Sequence, residues 1–592
     1  MIPLVVALPL VVAALIAAGG HFVPAHVWNV VATTVAAAVT VLATILIFRS
    51  ANHDLVYWFG GWRPRHGLAV GISFTVDPFG AGLAALAGAL MTAALVFSYH
   101  YFEDVGYLFY TLMLVFLGAL VGFAITGDLF NLFVFFELMS VSAYALTGYK
   151  VEQPAVVQGA LNFAITNSIG AFLVLFGIAL VYGRTGALNL AQLGNALAHG
   201  RADGLVIGAL VLLTVGFLIK AGAVPFHFWL SDAYAVAPAP VGVLLAGVMS
   251  DLGFHAVARI YWDVFSGPTA GHADAVRGLL VGVGLLTALL GAAMCLLEAD
   301  LKRLLAFLTI SHGGIFLVGV GLLRAGGLAG STLYVAADGL VKGALFLTVG
   351  AIQNRLGGSD ELWLRGRGRA WRYAPSGTVL LLCGLGAAAL PPFGPFHAGS
   401  LIQESAPGWI PPLLTAATAV TGACVLRAAG RIYLGLGAED DELLQRQPEE
   451  PEEPERPQSA WLIVTPAAAL LVAGLALAFA PGIAGHARQV AARAIDRPAY
   501  AAEVLHGELP APPPAVPSWH AFTAADWAYG AASTAGAVSL ALLLLYRRRL
   551  PELVRPPIAV LRAVHSGVIG DYATWVAVGT VVFAAVWGAT LR

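Results

Sequence analysis

The segment "GDLFNLFVFFELMSVSAYALTGYK" (residues 127–150) decides the fold class of this chain. Between Asp128 and Lys150 it is apolar over roughly the 20 residues that a helix needs to cross a bilayer, except for one central carboxylate, Glu137. A charge at that depth costs about 2.5–3.5 kcal/mol on insertion scales. We therefore expect a membrane helix in which Glu137 has a function.

The composition extends this reading to the whole chain. Of 592 residues, 59% are hydrophobic and 11% charged, with a mean hydropathy of +0.82, whereas soluble proteins carry about 25% charged residues. No basic stripe interleaves with aromatic residues, which argues against nucleic-acid binding. The N-terminus lacks a basic region, so we predict a first membrane helix there rather than a cleaved signal peptide.

The cysteines predict no cofactor. Cys295, Cys383 and Cys424 lie in apolar stretches, and their spacing fits neither a metal site nor a disulfide framework. We expect them to be small buried hydrophobic residues, and we expect the chain itself to hold no redox group or metal.

The length of the apolar runs predicts about sixteen membrane helices. They are placed at residues 2–19, 27–48, 78–98, 107–126, 128–148, 156–182, 205–222, 238–262, 274–297, 303–323, 329–352, 375–405, 410–435, 459–481, 523–546 and 570–590.

Basic residues predict the orientation. The segments "RLGGSDELWLRGRGRAWR", "DLKR" and "YRRRLPELVRPP" fall on one side of this count, which we assign to the cytoplasm, so that the N-terminus lies outside. Residues 439–458 are rich in Pro and Glu and predict a disordered cytoplasmic loop. Residues 506–519 predict an extended proline-rich connection on the outer side. We interpret both as solvated spacers.

A short motif predicts an internal repeat. Pro-Phe-His occurs at residues 225–227, after the span that contains Lys220, and again at 395–397, five spans later. Proline frees backbone carbonyls in a membrane helix, and paired broken helices in two halves of a transporter mark an ion path. The predicted helix-breaking residues are Pro225, Pro391, Pro392 and Pro395.

Ionisable residues inside the predicted spans suggest a proton relay. Carboxylates, imidazoles and lysines along a wet interior are typical of such relays, and packing alone does not explain so many. The candidates for ion translocation are Glu137, Lys220, Asp251, His255, His312, Asp338, Lys342, His397 and Glu404.

Glu137 shares a helical face with Ser140 and Tyr144, and Lys220 is its expected partner. Only four of the 31 basic residues are lysines, and two of these, Lys220 and Lys342, lie in apolar segments. A buried lysine can lose its proton, whereas arginine does not. We favour a functional role for Glu137 and Lys220 over purely structural pairing.

Other charges leave alternatives open. Asp338 and Lys342 are four residues apart, so an intrahelical ion pair is possible beside a relay role. His312 lies next to two glycines, where another element can approach, and histidine titrates near neutrality. We therefore include His312 in the relay.

The histidines of the two Pro-Phe-His motifs are equally open. His227 and His397 can either relay protons or bind the backbone carbonyls that are left without a partner at the helix breaks. In contrast, Asp300, Lys302 and Arg303 lie at a predicted membrane edge, where snorkelling or docking is the simpler explanation.

Four motifs carry a resemblance to a known family. The segments "LFNLFVFFELMSVSAYAL", "KAGAVPFHFWLSDAYAVAPAPVGVLLAGVMS", "EADLKRLLAFLTISHGG" and "LVKGALFLTVG" resemble the antiporter-like subunits of the complex I superfamily. This superfamily includes the large membrane subunits of NADH:quinone oxidoreductase, the D-type component of Mrp-type Na⁺/H⁺ antiporters and membrane-bound hydrogenase subunits. The resemblance covers roughly residues 60–435, and "AVHSGVIGDYATW" is most similar to the hydrogenase and Mrp branches.

The resemblance implies an all-α polytopic membrane protein. About 14 core transmembrane helices are expected, with two inverted five-helix repeats containing broken helices, plus about two extra C-terminal helices. The implied division is 1–106 for N-terminal helices, 107–262 and 274–436 for the repeats, 437–458 for the acidic Pro-rich loop, and 459–592 for C-terminal helices with the Pro-rich loop.

The resemblance also implies a function. In the family, a glutamate and a lysine in positions matching Glu137 and Lys220 form the first half-channel. The expected partners are other membrane subunits of a complex I-, Mrp- or hydrogenase-like assembly, lipid, protons and possibly Na⁺. The expected location is the plasma membrane, as a multi-pass protein of the bacterial inner membrane.

The chain departs from the family pattern at three places. Asp251 stands where the family often has a lysine or histidine, and His255 is a possible substitute. Asp338 replaces a histidine, although Lys342 is kept. Ala398 stands where the family has a lysine or glutamate after the second helix break.

These departures leave several functions open. The relay can follow a different path ending at His397 or Glu404, it can be incomplete, or its acids can suit Na⁺. The leading hypothesis is a proton- or cation-translocating subunit that uses redox chemistry or an ion gradient elsewhere. The alternative is a non-conducting scaffold that anchors a soluble partner, for example a hydrogenase or inorganic-carbon uptake module. The chain has no phosphate loop or nucleophile–base pair, so any enzyme role is as a subunit without a catalytic centre.

Overall fold

The computed structural model describes residues 1–102, 105–198, 200, 202–437, 460–480, 482–508, 522–546 and 555–591. In these residues, fourteen helices are long and apolar enough to cross a membrane. The predicted polytopic helical fold is confirmed. The acidic segment predicted at 439–458, and most of the proline-rich segment at 506–519, lie outside the described residues.

The described elements follow in chain order. The N-terminal part contains α1 (Leu4–Gly19), α2 (Ala25–Arg49), β1 (Leu55–Trp58), β2 (Ser73–Val76) and α3 (Pro78–Tyr101). The next set contains α4 (Tyr107–Ile125), α5 (Leu129–Thr147), α6 (Pro154–Thr185), α7 (Leu190–Leu197), α8 (Gly204–Ala221), α9 (Phe228–Val236), α10 (Ala239–Leu244) and α11 (Ser250–Arg259).

The second half continues with a similar order. It contains α12 (Ala273–Leu297), α13 (Leu301–Gly321), α14 (Ala325–Leu356), α15 (Ala374–Ala387), α16 (Gly394–Ser405) and α17 (Ile410–Ala429). The C-terminal part contains α18 (Ala460–Ala478), α19 (Ile483–Ala494), α20 (Arg497–His506), α21 (Ala524–Tyr546), α22 (Arg555–Val564) and α23 (Ile569–Thr590).

Two of the sixteen predicted spans are not single helices. The segment 375–405 is broken as predicted, because Pro391 and Pro392 lie in a gap between α15 and α16. The segment 459–481 is also not a simple span, since α18 is followed at once by α19 at an angle of 80°. Pro395 does not lie in a break, because it occupies the first turn of α16, a position that proline tolerates well.

A small antiparallel hairpin, β1–β2, was not predicted. It pairs Leu55 with Val76 and Trp58 with Ser73, and Phe74 bridges to Thr126 at the end of α4. The membrane face that carries this hairpin is called the hairpin face below, and the other the far face.

The chain order of α4–α11 is repeated by α12–α17. Each set has five crossings, with a break in the fourth: α8 and α9 in the first set, α15 and α16 in the second. Because five is odd, the second set begins at the opposite face from the first. This order agrees with the expectation of inverted repeats.

The second helix of each set begins in the same way. Asp128 caps α5 by accepting a hydrogen bond from the Asn131 amide at 2.8 Å, and Asp300 caps α13 by accepting one from the Arg303 amide at 2.8 Å. Each aspartate also makes an isolated β-bridge to the segment after the third helix of its own set. These caps satisfy amides that would otherwise be unbonded at the helix start.

The first break is held by side chains. Gly222 ends α8 with φ of 70°, a conformation that favours glycine. The Trp229 indole donates to the Ile219 carbonyl at 3.0 Å, and the Thr287 hydroxyl accepts from the Val224 amide at 3.0 Å. Irregular backbone at membrane depth is tolerated because protein groups satisfy it in this way.

Two C-terminal helices cover the two breaks. A Cβ at Gly579 of α23 would lie 2.4 Å from the Phe226 ring, so α23 sits directly on the first break. At the second break, a Cβ at Gly530 of α21 would lie 2.7 Å from the Phe396 ring and 3.0 Å from Pro391. A separate contact holds α19 near the hairpin, because the Arg493 guanidinium donates to the Asp54 carboxylate.

The far end of α17 contains a buried charge triad. Glu361 Oε1 lies 2.9 Å from Arg427 Nε and 2.6 Å from Arg431 Nη1, and all three side chains are at most 1% exposed. Arg427 also donates to the Leu296 and Glu298 carbonyls. The triad therefore ties the loop after α14 to α17 and to the end of α12.

We expect Glu361→Gln to lower the free energy of unfolding by about 3 kcal/mol, because losing one partner of a buried ion pair leaves the other charge uncompensated. Thermal unfolding in detergent measures this. The neighbouring Asp360→Asn is the control, since asparagine can still accept the Leu362 and Trp363 amide bonds. Equal stability of Glu361→Gln and the wild type would contradict the prediction.

Candidate functional site

The centre of the molecule contains a lysine held by two carboxylates. Lys342 Nζ lies 3.2 Å from Asp251 Oδ2 and 3.0 Å from Asp338 Oδ2. Each of these side chains is at most 3% exposed. Asp338 and Lys342 are one turn apart on α14, whereas Asp251 comes from α11, next to a π-helical turn at Leu245–Met249. Such turns are frequent at functional sites.

His312 on α13 completes the cluster. Its Nδ1 lies 2.6 Å from Asp338 Oδ1, and its Nε2 lies 3.1 Å from the Thr421 hydroxyl on α17. The Thr421 hydroxyl also bonds within its own helix, to the carbonyls of Ala417 and Thr418. Both ring nitrogens of His312 therefore have a polar partner, one on α14 and one on α17.

Each member of the cluster contacts another member. Lys342 lies within ion-pair distance of both carboxylates, and His312 is hydrogen-bonded to Asp338. Paired and hydrogen-bonded groups are the form in which buried charges are tolerated.

The second site surrounds Lys220, at the end of α8. Its Nζ donates to the Ser140 hydroxyl at 2.8 Å and lies 5.0 Å from the centre of the Phe136 ring and 5.7 Å from that of Phe163. The expected direct pair with Glu137 is not formed within 4.0 Å. Ser140, one turn after Glu137 on α5, instead provides the hydroxyl that contacts the Lys220 ammonium.

Glu137 faces the same interior, within electrostatic reach of Lys220. Its Oε1 is buried and makes no hydrogen bond to any residue that the structure describes. A buried acceptor without a partner is costly. The carboxylate is therefore placed to bind a proton or a cation.

Aromatic residues separate the two sites. The Trp229 ring stacks on Phe163 at 4.4 Å, and on the side of the central cluster the Tyr234 hydroxyl lies 2.5 Å from the Ser250 hydroxyl. Ser250 directly precedes Asp251. Tyr234 is thus a polar group on the wall between the Lys220 site and the central cluster.

Three predicted site residues lie away from the cluster. The His255 ring is edge-on to the Phe79 ring, with the ring centres 4.6 Å apart, and its substitution for the basic residue of the family stays a prediction. His397 Nδ1 lies 3.4 Å from the Ala478 carbonyl. Glu404 pairs with Arg488 at 2.8 Å in a partly exposed position.

Other predicted residues have structural partners. His227 Nε2 lies 3.0 Å from His565 Nε2, which connects the first break to the segment before α23. Lys302 Nζ donates to the Ala237 carbonyl at 3.3 Å, which is a buried bond rather than snorkelling to a surface. In the described part of the chain, no group of three His, Cys, Asp or Glu is arranged to hold a metal.

Sequence reasoning missed Thr421, Tyr234, Ser250 and His565. Hydroxyl side chains are common in membrane helices, where they bond to their own backbone, as Thr421 also does. Nothing in their spacing sets them apart. Only the three-dimensional contacts reveal them. Thr421 contacts His312, Tyr234 contacts Ser250, and His565 contacts His227.

The fold and this buried charged axis define a class, that of polytopic membrane proteins built for ion transport. Residues 126–425 match the family model described as "NADH:quinone oxidoreductase/Mrp antiporter, TM". The match covers half of the chain, and the protein belongs to this family.

Curated relatives come from both branches of the family. The chain is 35% identical over 303 residues to the NADH-quinone oxidoreductase subunit N of Desulforudis audaxviator, covering 50% of this chain and 58% of the relative. It is 32% identical over 362 residues to the D-type component of a probable K⁺/H⁺ antiporter of Rhizobium meliloti, covering 58% and 66%. The aligned part thus spans about three-fifths of these relatives.

A solved structure is similar over a greater length. One chain of the Mrp complex from Dietzia sp. DQ12-45-1b superimposes with a TM-score of 0.72 at 26% identity, covering 85% of this chain and 99% of that one. The fold of an antiporter-like subunit therefore extends through most of the present chain.

We expect Lys342→Met to lower the free energy of unfolding by about 3–5 kcal/mol, because two buried carboxylates lose their shared cation. Adding Asp251→Asn should recover part of this loss, so the two changes should be non-additive. Thermal unfolding of both single variants and the double variant measures the coupling. Lys150→Met, in the loop after α5, is the matched control. Purely additive effects would mean that the cluster is not one unit.

Proposed function

We propose that this chain is a proton-translocating antiporter-like subunit of a multisubunit membrane complex. The observation that carries the proposal is the shared lysine: Lys342 held between Asp251 and Asp338, with His312 hydrogen-bonded to the same Asp338. Such a group can lose or gain a proton with little movement, since every member is already in contact with the next.

The Lys220 site supplies the first step. Lys220 has only a hydroxyl as its close hydrogen-bond partner, and a buried ammonium without a carboxylate partner loses its proton readily. When Glu137 takes up a proton, its carboxyl group interacts less strongly with Lys220. The lysine then releases its own proton more readily. Transfer then continues across the wall that contains Tyr234 toward Asp251.

The acidic replacements support conduction rather than its loss. Asp251 stands where the family often has a basic residue, yet it contacts Lys342 directly at 3.2 Å. Asp338 likewise bonds both Lys342 and His312. This arrangement favours a relay over the non-conducting scaffold, because a scaffold has no need of a cluster of linked ionisable groups at its centre.

The proposal includes the partner subunits and the source of energy for ion movement. The names of the relatives point to two sources of energy, quinone-linked oxidation of NADH and exchange of H⁺ for K⁺. In either case we expect other membrane subunits to accompany the chain in the plasma membrane. The chain's own part is the movement of ions, with no redox group of its own.

We expect Glu137→Gln, Lys220→Ala and Lys342→Ala each to abolish proton movement while the subunit still assembles. Inside-out membrane vesicles carrying a pH-sensitive dye measure this. Wild-type vesicles are first given NADH and, separately, a pulse of Na⁺ or K⁺, and the driver that works is used for every variant.

Glu152→Gln and Lys150→Gln, in the loop between α5 and α6, are the charge-matched controls and should transport normally. Each rate is normalised to the amount of subunit in the membrane. A wild-type rate in Lys342→Ala would refute the relay and favour the scaffold.

A further inference from the structure

A row of hydroxyl groups leads from the central cluster toward the hairpin face. His312 contacts Thr421 on α17, and Thr418 lies one turn closer to that face on the same side of the helix. The Thr418 hydroxyl is 2.8 Å from the Ser533 hydroxyl on α21. Both are buried, at 7% and 2% exposure. Thus α21 extends the polar row that begins at His312.

A small cavity follows this hydroxyl pair. Its volume is about 20 Å³, which is room for about one water molecule, since a water needs roughly 10–15 Å³ of such space. Polar residues from three helices line it: Ser400, Thr415, Thr418, Asp526, Tyr529 and Ser533. Apolar residues, among them Ile315, Phe396 and Leu414, make up the rest of the lining, so a water in this cavity would bind to its polar side.

Asp526 lies at the other end of the cavity, in the first turn of α21. It is only 3% exposed, and its Oδ2 accepts hydrogen bonds at 2.7 Å from both the amide and the hydroxyl of Thr523. Part of its role is therefore to cap α21. Capping alone would not require the carboxylate of Asp526 to line an internal cavity as well.

We propose that Thr418, Ser533 and Asp526 form the outlet of the relay at the hairpin face. This inference rests on the proposed function and deepens it, since it assigns the second half of the path. It adds two residues on α21, a helix outside the segment that matches the family model, residues 126–425.

The proton balance along this route is simple. A proton that the cluster delivers to His312 Nε2 passes to the Thr421 oxygen, and Thr421 gives its own hydroxyl proton to Thr418, its neighbour three residues away on the same helix face. The Thr418–Ser533 pair then passes one proton through the cavity to the Asp526 carboxylate, which releases it to the surface.

The route also accounts for the departure at Ala398. His397 and Glu404 are the alternative ends of the path, and their bonds lead to Ala478 and Arg488. Asp526, in contrast, lines the same cavity as the Thr418–Ser533 pair. Glu404 and Arg488 lie at the surface within electrostatic reach of Asp526. They form the charged rim into which the proton is released.

The test uses the full chain in native membranes and the vesicle assay above. We expect Asp526→Asn to lower the rate of proton movement by roughly tenfold or more, because a positioned proton-transfer group typically contributes about 10²–10⁴-fold. Asparagine still accepts the Thr523 bonds, so the cap is kept. Ser533→Ala should lower the rate as well, and Asp526→Glu and Ser533→Thr should restore most of it.

Two controls come from the same part of the chain. Thr534→Val changes the neighbouring hydroxyl of α21, which bonds only to the Gly530 carbonyl. Asp571→Asn changes the aspartate in the first turn of α23, which accepts from Ser566. Both should transport at the wild-type rate.

The outcomes separate the outlet from the relay itself. Wild-type rates in Asp526→Asn and Ser533→Ala, with an inactive Lys342→Ala, would overturn the outlet and leave the proposed function standing. A normal rate in Lys342→Ala would overturn both. If Asp526→Asn fails to accumulate in the membrane, Ser533→Ala and Thr418→Val decide the outlet by the same criterion.

Discussion

The sharing of one lysine between two carboxylates is the interaction on which the interior depends. Asp251, Asp338 and Lys342 are almost fully buried, and none of these charges could be kept there alone. Their contacts bring α11 against α14, and His312 adds α13 through Asp338. The same contacts that hold these helices together are those through which the proposed relay would move a proton. Stability and the proposed conduction therefore depend on one group of atoms.

Much of the fold could be predicted from the sequence because the bilayer imposes a length. Apolar runs of about 20 residues located fourteen spans, and the prolines indicated where two helices are interrupted. The bend between α18 and α19 could not be predicted, since an apolar run does not show its direction. The β1–β2 hairpin was also missed, because its two four-residue strands lie in a polar connection.

The candidate site, too, could be predicted only in part from the sequence. Glu137 and Lys220 stood out because they are charges in apolar helices, and Asp338 and Lys342 because they are one turn apart. The contact of Asp251 with Lys342 joins residues 91 positions apart, which one sequence does not reveal. Thr421 gave no signal, since a threonine bonded to its own helix looks like any other.

The covering of both broken helices by C-terminal helices has an electrical consequence. Gly579 on α23 and Gly530 on α21 bring whole helices into contact with the first and second break. Freed backbone carbonyls attract protons and cations, and next to lipid they would offer a leak along the outside of the molecule. With α21 and α23 in place, protein instead of lipid covers part of each break. The two helices thus act as partial insulation, which would reduce the loss of charge from the proposed path into the bilayer.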